Sequence, residues 1–434
     1  MKASKTKKYY ETYDYNSRRP VFVELESLRK DQQYRLMESK NFCMIPWTHI
    51  HGFPTGEAYP CCLGEMAHPI GNMRENTLEE IWHGDTYVGM REQMLADKPS
   101  RECTRCYEQE EQGFFSMRNS HNKHFGHHID KVDQGVNPDF ELVYWDIRFS
   151  NQCNLKCRSC GPMFSSLWFD DHVKMHGQKP NHKRIEWAGK NKTDIWEQMI
   201  PHIDHIEQIY FAGGEPLIMQ EHYNILKELV RRERFDVKLI YNTNFNETLY
   251  KDLDVLDYWG MFESVSIGAS LDASGDRAEL MRKGCDWNKI VYNRERMLEK
   301  CPQVDFYISP TVSLMNVLHV PDFHRAWVEC GLLKAQDLNV NILQSPDWYR
   351  ADCLPKELKA QATQKLEEHI AWLEPQDHLQ RATNGFRSTI SFMNNTDNTQ
   401  HLPKFNHVTQ QLDAVRTENF YTVFPELQGL AQYE

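Results

Sequence analysis

With 434 residues and a net charge of −12, the chain is too long for one ordinary hydrophobic core and too acidic for a broad nucleic-acid footprint, which needs surplus Lys and Arg on at least one face. Hydrophobic residues at 40% and aromatics at 12% provide enough apolar surface for packed cores, which rules out a disordered chain. The basic opening MKASKTKKYY has no apolar core region and no run is long enough to cross a bilayer, so the expectation is a soluble, cytoplasmic protein of roughly two or three domains without a membrane partner.

Residues 1–40 are polar and read as an arm. From 41 to 120 the text is punctuated by Gly, Pro and Cys, with one clear helix: Thr77 and Glu80 form a capping box, and Leu78, Ile81 and Trp82 share a face. The hydrophilic stretch 121–139 reads as a linker. Between 140 and 350 apolar runs alternate with helical segments, the pattern of parallel βαβ units. The expected strands are ELVYWDIRFS, HIEQIYFAGG, VKLIYNTN, ESVSIGASLD, VDFYISPTVSL and DLNVNILQ. They suggest an α/β fold: a partial (β/α)6 TIM-like barrel whose chemistry sits at the strand C-terminal ends. A small cysteine-rich domain precedes it and a helical extension, 351–434, follows, with Leu366, Ile370 and Leu373 on one apolar face.

The twelve cysteines are too sparse for a disulfide scaffold, and their clustering points to metal. Cys43, Cys61, Cys62, Cys103 and Cys106 form one group; Cys153, Cys157 and Cys160 form another, directly after the first expected strand. Cys285, Cys301, Cys330 and Cys353 are scattered and expected to act as small buried hydrophobes. C-x3-C-x2-C puts three thiolates on one short loop, whereas iron–sulfur clusters usually take four. One iron is then left free to chelate a small molecule and pass it an electron. The alternative is zinc: a knuckle with a histidine at the second group, a four-cysteine site at the first.

The loop FSNQCNLKCRSCGP resembles the signature of the radical S-adenosylmethionine (SAM) superfamily. The resemblance implies that Cys153, Cys157 and Cys160 hold a catalytic 4Fe-4S cluster, which reductively cleaves SAM to a 5'-deoxyadenosyl radical that abstracts hydrogen from a substrate. AGGEP resembles the family's GGEP motif: Gly213 and Gly214 permit close backbone approach, and Glu215, followed by Pro216, offers a carboxylate to the methionine amine. Thr243 and Asn244 resemble the start of its TNG motif, with Phe245 where glycine is usual. Ser270 and Asp272 match ribose ligands and Arg282 a carboxylate ligand. Ser159 stands where many members carry an aromatic against the adenine.

From about Phe42 to Glu110 the sequence resembles the auxiliary-cluster module called SPASM or, in shorter form, twitch, here ahead of the barrel rather than behind it. The implied ligands of a second iron–sulfur cluster are Cys43, Cys61, Cys103 and Cys106, with Cys62 either a spare thiol or the ligand in place of Cys61. Implied partners are SAM, a peptide or protein substrate and an electron donor such as flavodoxin or ferredoxin. His49, His51, His121, His124, His127 and His128 read as solvated linker or turn residues, and Trp348 and Tyr349 as core. The competing class is a non-catalytic, zinc-binding recognition scaffold.

Overall fold

The computed structural model describes residues 9–12, 21–113 and 115–433; the rest of the expected arm lies outside the described residues. Five of the six expected strands meet in one eight-stranded sheet. Its members are β1 (His49–Gly52), β2 (Glu57–Tyr59), β3 (Gly71–Asn72), β4 (Tyr144–Ile147), β5 (Gln208–Phe211), β6 (Lys238–Thr243), β7 (Val265–Ala269) and β8 (Asp305–Ile308). They lie in the order β8-β7-β6-β5-β4-β1-β2-β3, parallel from β8 to β1 and antiparallel from β1 to β3. Strands β4 to β8 neighbour one another sequentially, so each crossover returns on the same side and all their C-terminal ends share one edge.

The sixth expected strand is not a continuous ladder. DLNVNILQ contributes one parallel bridge, Ile308 to Leu338, and a two-residue pair, Asn341–Ile342 against Thr311–Val312. Pro310, two residues past the end of β8, has no N–H to donate, which interrupts pairing there.

The cysteine-rich region shares the sheet instead of hanging from it. β1 pairs in parallel with β4, His49 opposite Tyr144 and His51 opposite Asp146, which covers the edge β4 would otherwise expose. The HIHG run, expected as a solvated turn, is this strand, and all four of its residues are buried. The burial of its histidines comes from the faces of the sheet: the His49 ring stacks on Tyr144, 4.2 Å between centroids, and the His51 ring meets Phe53 edge-on at 4.8 Å. His121 is likewise buried, and burial holds His124 down to about 4.

The capping box forms as expected on α1 (Leu78–Trp82): Glu80 N donates to Thr77 Oγ1 at 3.1 Å and Thr77 N to the Glu80 carboxylate at 2.7 Å. The stretch expected as a linker begins inside α2 (Met117–Phe125) and continues as a 3-10 helix, Gly126–Gln134. Phe125, Ile129 and Val132 are buried. Their spacing of four and three residues is a helical stripe that the surrounding polar text conceals. Trp47 and Trp82 each donate an indole N–H to this segment, at Gly135 O (3.0 Å) and Pro138 O (2.9 Å). Of the scattered cysteines, Cys285, Cys301 and Cys353 are buried, but Cys330, at the C-terminal cap of helix Val320–Glu329, is exposed.

Three helices form most of the C-terminal extension: α3 (Lys356–Leu373), with Leu366, Ile370 and Leu373 buried, α4 (Arg381–Asn395) and α5 (Leu402–Arg416). The end of α5 is tied to the second cysteine group. Arg416 Nε donates to Asp171 at 2.8 Å, both fully buried. Arg158, between Cys157 and Cys160, has its buried guanidinium on Asp413 and, at 2.8 Å, on Glu418. Arg158→Ala would strand two largely buried carboxylates and should cost about 3 kcal/mol in equilibrium unfolding; a loss within the ±0.5 kcal/mol of ordinary surface substitutions would contradict the clamp.

Candidate functional site

The second cysteine group follows β4 at its C-terminal end and is fixed by contacts from three directions. Lys156–Cys157 forms a short antiparallel ladder with Arg282–Lys283, Arg158 N donates to Met281 O at 2.7 Å, and Trp168 Nε1 donates to Cys157 O at 2.8 Å. Ser165 Oγ donates to Leu155 O at 2.6 Å, and Asn151 Nδ2 to Pro162 O at 3.1 Å, which closes the loop on itself.

The AGGEP turn at the end of β5 presses on this loop. A Cβ at Gly214 would stand 1.9 Å from Gln152 O, and Glu215 N donates to the same carbonyl at 2.7 Å. Gly213 has φ +123°, where side chains are strained. Glu215 is buried and accepts three hydrogen bonds: Thr243 Oγ1 at 2.7 Å, Asn244 N at 2.7 Å and Leu217 N at 3.1 Å. A carboxylate has about four acceptor directions, so one remains for a ligand. The side chain therefore joins the ends of β5 and β6 while keeping capacity for a donor in the cavity.

Phe245 takes the left-handed conformation (φ +57°) that glycine would favour at this position. Its ring is fully buried, 5.1 Å from Phe306, and burial worth about 1.5–3 kcal/mol offsets strain of about 1–2 kcal/mol. Asn244 Nδ2 meanwhile donates to Asn154 Oδ1 in the cysteine loop at 2.7 Å.

These elements enclose a cavity of about 590 Å³ walled by Cys153, Cys157, Cys160, Gly213, Gly214, Glu215, Asn244, Ser270 and Arg282. Two of the sequence candidates are not on its wall. Pro216 is buried at the start of a 3-10 turn. Asp272 turns both oxygens to protein donors, Arg282 Nε at 2.8 Å and Thr311 N at 2.8 Å, so it faces the arginine. Arg282 Nη1 reaches Cys157 Sγ at 3.7 Å. Sequence reading passed over Arg148, Phe164 and Asn242, and the segment 342–345, all on the wall. Arg148 was within reach of a simple rule, since it continues the alternation of β4 two residues after buried Asp146.

In the first group, Cys43, Cys61, Cys103 and Cys106 line one closed space with Ile45, Pro60 and Met90. Cys62 is not part of that lining; it faces a second chamber, of about 410 Å³, beneath β1 and β4. Burial pushes the thiols of both groups up, Cys43 and Cys160 to about 12, a desolvation that a bound metal would relieve by taking the thiolates. Among the described residues no three cysteine sulfurs lie within 4.8 Å of one another. Sulfurs on one tetrahedral zinc stand about 3.8 Å apart, closer than any three sulfurs of either set.

Residues 43–107 match SPASM, an iron–sulfur cluster-binding domain. Among solved structures the chain is similar to native anSMEcpe with bound AdoMet, at 19% identity and a TM-score of 0.36, covering 52% of this chain and 58% of that one. It is also similar to Streptococcus suis SuiB bound to precursor peptide SuiA, at 13% identity and a TM-score of 0.33, covering 75% of this chain and 64% of that one. The chain thus spans less than two thirds of the length of either structure. The curated proteins contain no sequence match. No helix of the described residues is long and apolar enough to cross a membrane.

Burial, against the opposing hydrogen bonds from Asn244, Thr243 and Leu217, pushes Glu215 from 4.5 to about 7. Between those values an unfolded chain releases a proton that the folded chain keeps, so stability falls as pH rises through the window, by about 3 kcal/mol. Buried histidines such as His49 and His124, held near 4, add a rising slope common to both proteins, so the quantity to measure is the stability of wild type minus that of Glu215→Gln by denaturant unfolding from pH 4.5 to 7.5. That difference should fall by this amount as pH rises; parallel curves would contradict it.

Proposed function

We propose that this chain, which carries a SPASM domain at residues 43–107 and resembles the radical SAM superfamily, is a radical SAM enzyme built on a partial (β/α)6 barrel. The observation that carries the reading is convergence on one cavity. Three thiols, a glycine turn with no room for side chains, a carboxylate with one free acceptor direction and a guanidinium share its wall, with no fourth cysteine there among the described residues.

In this reading Cys153, Cys157 and Cys160 hold a 4Fe-4S cluster and leave one iron to SAM. When bound, the pair supplies the chemistry: reductive cleavage of the sulfonium to a 5'-deoxyadenosyl radical that abstracts hydrogen from substrate. Glu215 accepts from the methionine ammonium. Arg282 donates to the carboxylate, held by Asp272, which acts as a positioning residue in place of a ribose ligand. Ser270 serves the ribose. In place of an aromatic at Ser159, the apolar wall of Leu155, Phe164 and Leu343 takes the adenine.

Cys43, Cys61, Cys103 and Cys106 hold a second iron–sulfur cluster, with Cys61 chosen over Cys62 because it is Cys61 that faces the other three. The substrate we propose is a peptide or protein. Its support is the auxiliary module together with the second chamber, which adjoins the first at Asn242 and has the size to admit one residue's side chain. An external one-electron donor of the flavodoxin or ferredoxin type, in a reducing cytoplasm, completes the scheme. A zinc-stapled scaffold requires sulfurs at zinc spacing, which neither cysteine group has.

Under strong reductant, wild type should form 5'-deoxyadenosine from SAM and Cys157→Ala should form none; formation at the wild-type rate in that variant refutes the assignment. Arg282→Ala, assayed by equilibrium binding, should weaken SAM by about 10- to 100-fold, the worth of a charge-assisted hydrogen-bond pair of about 1.5–3 kcal/mol. Unchanged affinity would remove Arg282 from the site.

A further inference from the structure

The second chamber contains a constellation that none of this chemistry uses. His49 and His51, two apart on β1, share a face of the strand, and Asp146 is the register partner of His51 on β4. All three are fully buried, and one candidate ligand atom from each lies within 4.8 Å of the others. The geometry points to a divalent transition-metal site formed by His49, His51 and Asp146 at the floor of this chamber, between the two cysteine groups.

The hydrogen bonds are those of a ligand set. His49 Nδ1 lies 2.9 Å from Tyr144 O, and a carbonyl only accepts, so the proton sits on Nδ1 and the lone pair on Nε2. That Nε2 has no hydrogen-bond partner, nor have His51 Nε2 and the two Asp146 oxygens. His51 Nδ1 and Asp146 Oδ2 face each other at 2.9 Å as an ion-pair contact whose angles fall outside those of a hydrogen bond. Buried polar groups left unpaired are costly, and one shared cation would offset that cost. Arg148 Nε, at 3.8 Å, balances only the far oxygen, Oδ1.

Two imidazoles and one carboxylate suit a first-row divalent ion, zinc or iron(II), with positions left open. His49 and Asp146 both reach the chamber wall, where those open positions would meet water or a donor atom of the substrate. Cys62, the thiol that the four-cysteine set leaves over, stands on the same wall. The site depends on neither cluster and stands whether or not SAM is cleaved.

The test is zinc binding to anaerobically purified protein reconstituted with iron and sulfide, then exposed to Zn²⁺ and desalted, with metals and labile sulfide measured together. Wild type should retain about one zinc per chain, while His49→Gln and Asp146→Asn keep the wild-type sulfide and bind zinc at least about tenfold more weakly. No zinc on wild type, or wild-type affinity in both variants, overturns the site. Should a substitution also strip sulfide, zinc-edge X-ray absorption of wild type decides. A shell of nitrogen and oxygen at about 2.0–2.1 Å upholds the site, and an all-sulfur shell at about 2.3 Å overturns it.

Discussion

No side chain fits between residue 214 and the carbonyl of Gln152: a Cβ there would lie 1.9 Å from that oxygen, so the end of β5 can rest directly on the cysteine loop. Everything at the candidate site is spaced by this backbone contact. It sets Glu215 where its carboxylate can bind Thr243 and Asn244 at the end of β6, and it sets Asn244 against Asn154 in the loop. Three consecutive strand ends are thereby locked together around one cavity. The two glycines matter because of what they omit.

The far side of the loop is held by charge. Arg158, between two of the cysteines, is buried on Asp413 and Glu418, and Asp171 receives both Arg416 and Lys156. Buried ion pairs are poor sources of net stability but are costly to break, which suits them to hold a loop in one geometry. The helical extension thus acts on the site through the last turn of α5 and Glu418 just beyond it. Meanwhile the parallel pairing of β1 with β4 brings the cysteine-rich region under the same sheet. Three chambers follow in a row. Asn242 is shared by the first and second, and Cys61 and His121 by the second and third.

Features set by local chemistry could be read from sequence. The cysteine spacing, the Gly-Gly turn and the Thr77–Glu80 cap each depend on residues a few positions apart, and all appear where expected. Features decided by partners distant in the chain could not. HIHG resembles a turn until β4 pairs with it, and Asp272 resembles a free ribose ligand until Arg282 and the Thr311 amide claim its oxygens. The segment after residue 120 is misleading for another reason, because its large apolar residues that turn inward, Phe125, Ile129 and Val132, are scattered through a polar text. Cys61 and Cys62, adjacent in sequence, differ only in that Cys61 also lines the space of the other three cysteines, whereas Cys62 lines the second chamber alone.

The central claim is that an iron held by three thiols at the end of β4 takes SAM as its remaining ligand. Electron paramagnetic resonance of reduced Cys103→Ala protein, in which the auxiliary set is broken, tests it most directly. The account predicts an iron–sulfur signal that changes shape when SAM is added. A signal indifferent to SAM, or protein that holds zinc and no sulfide, would contradict it.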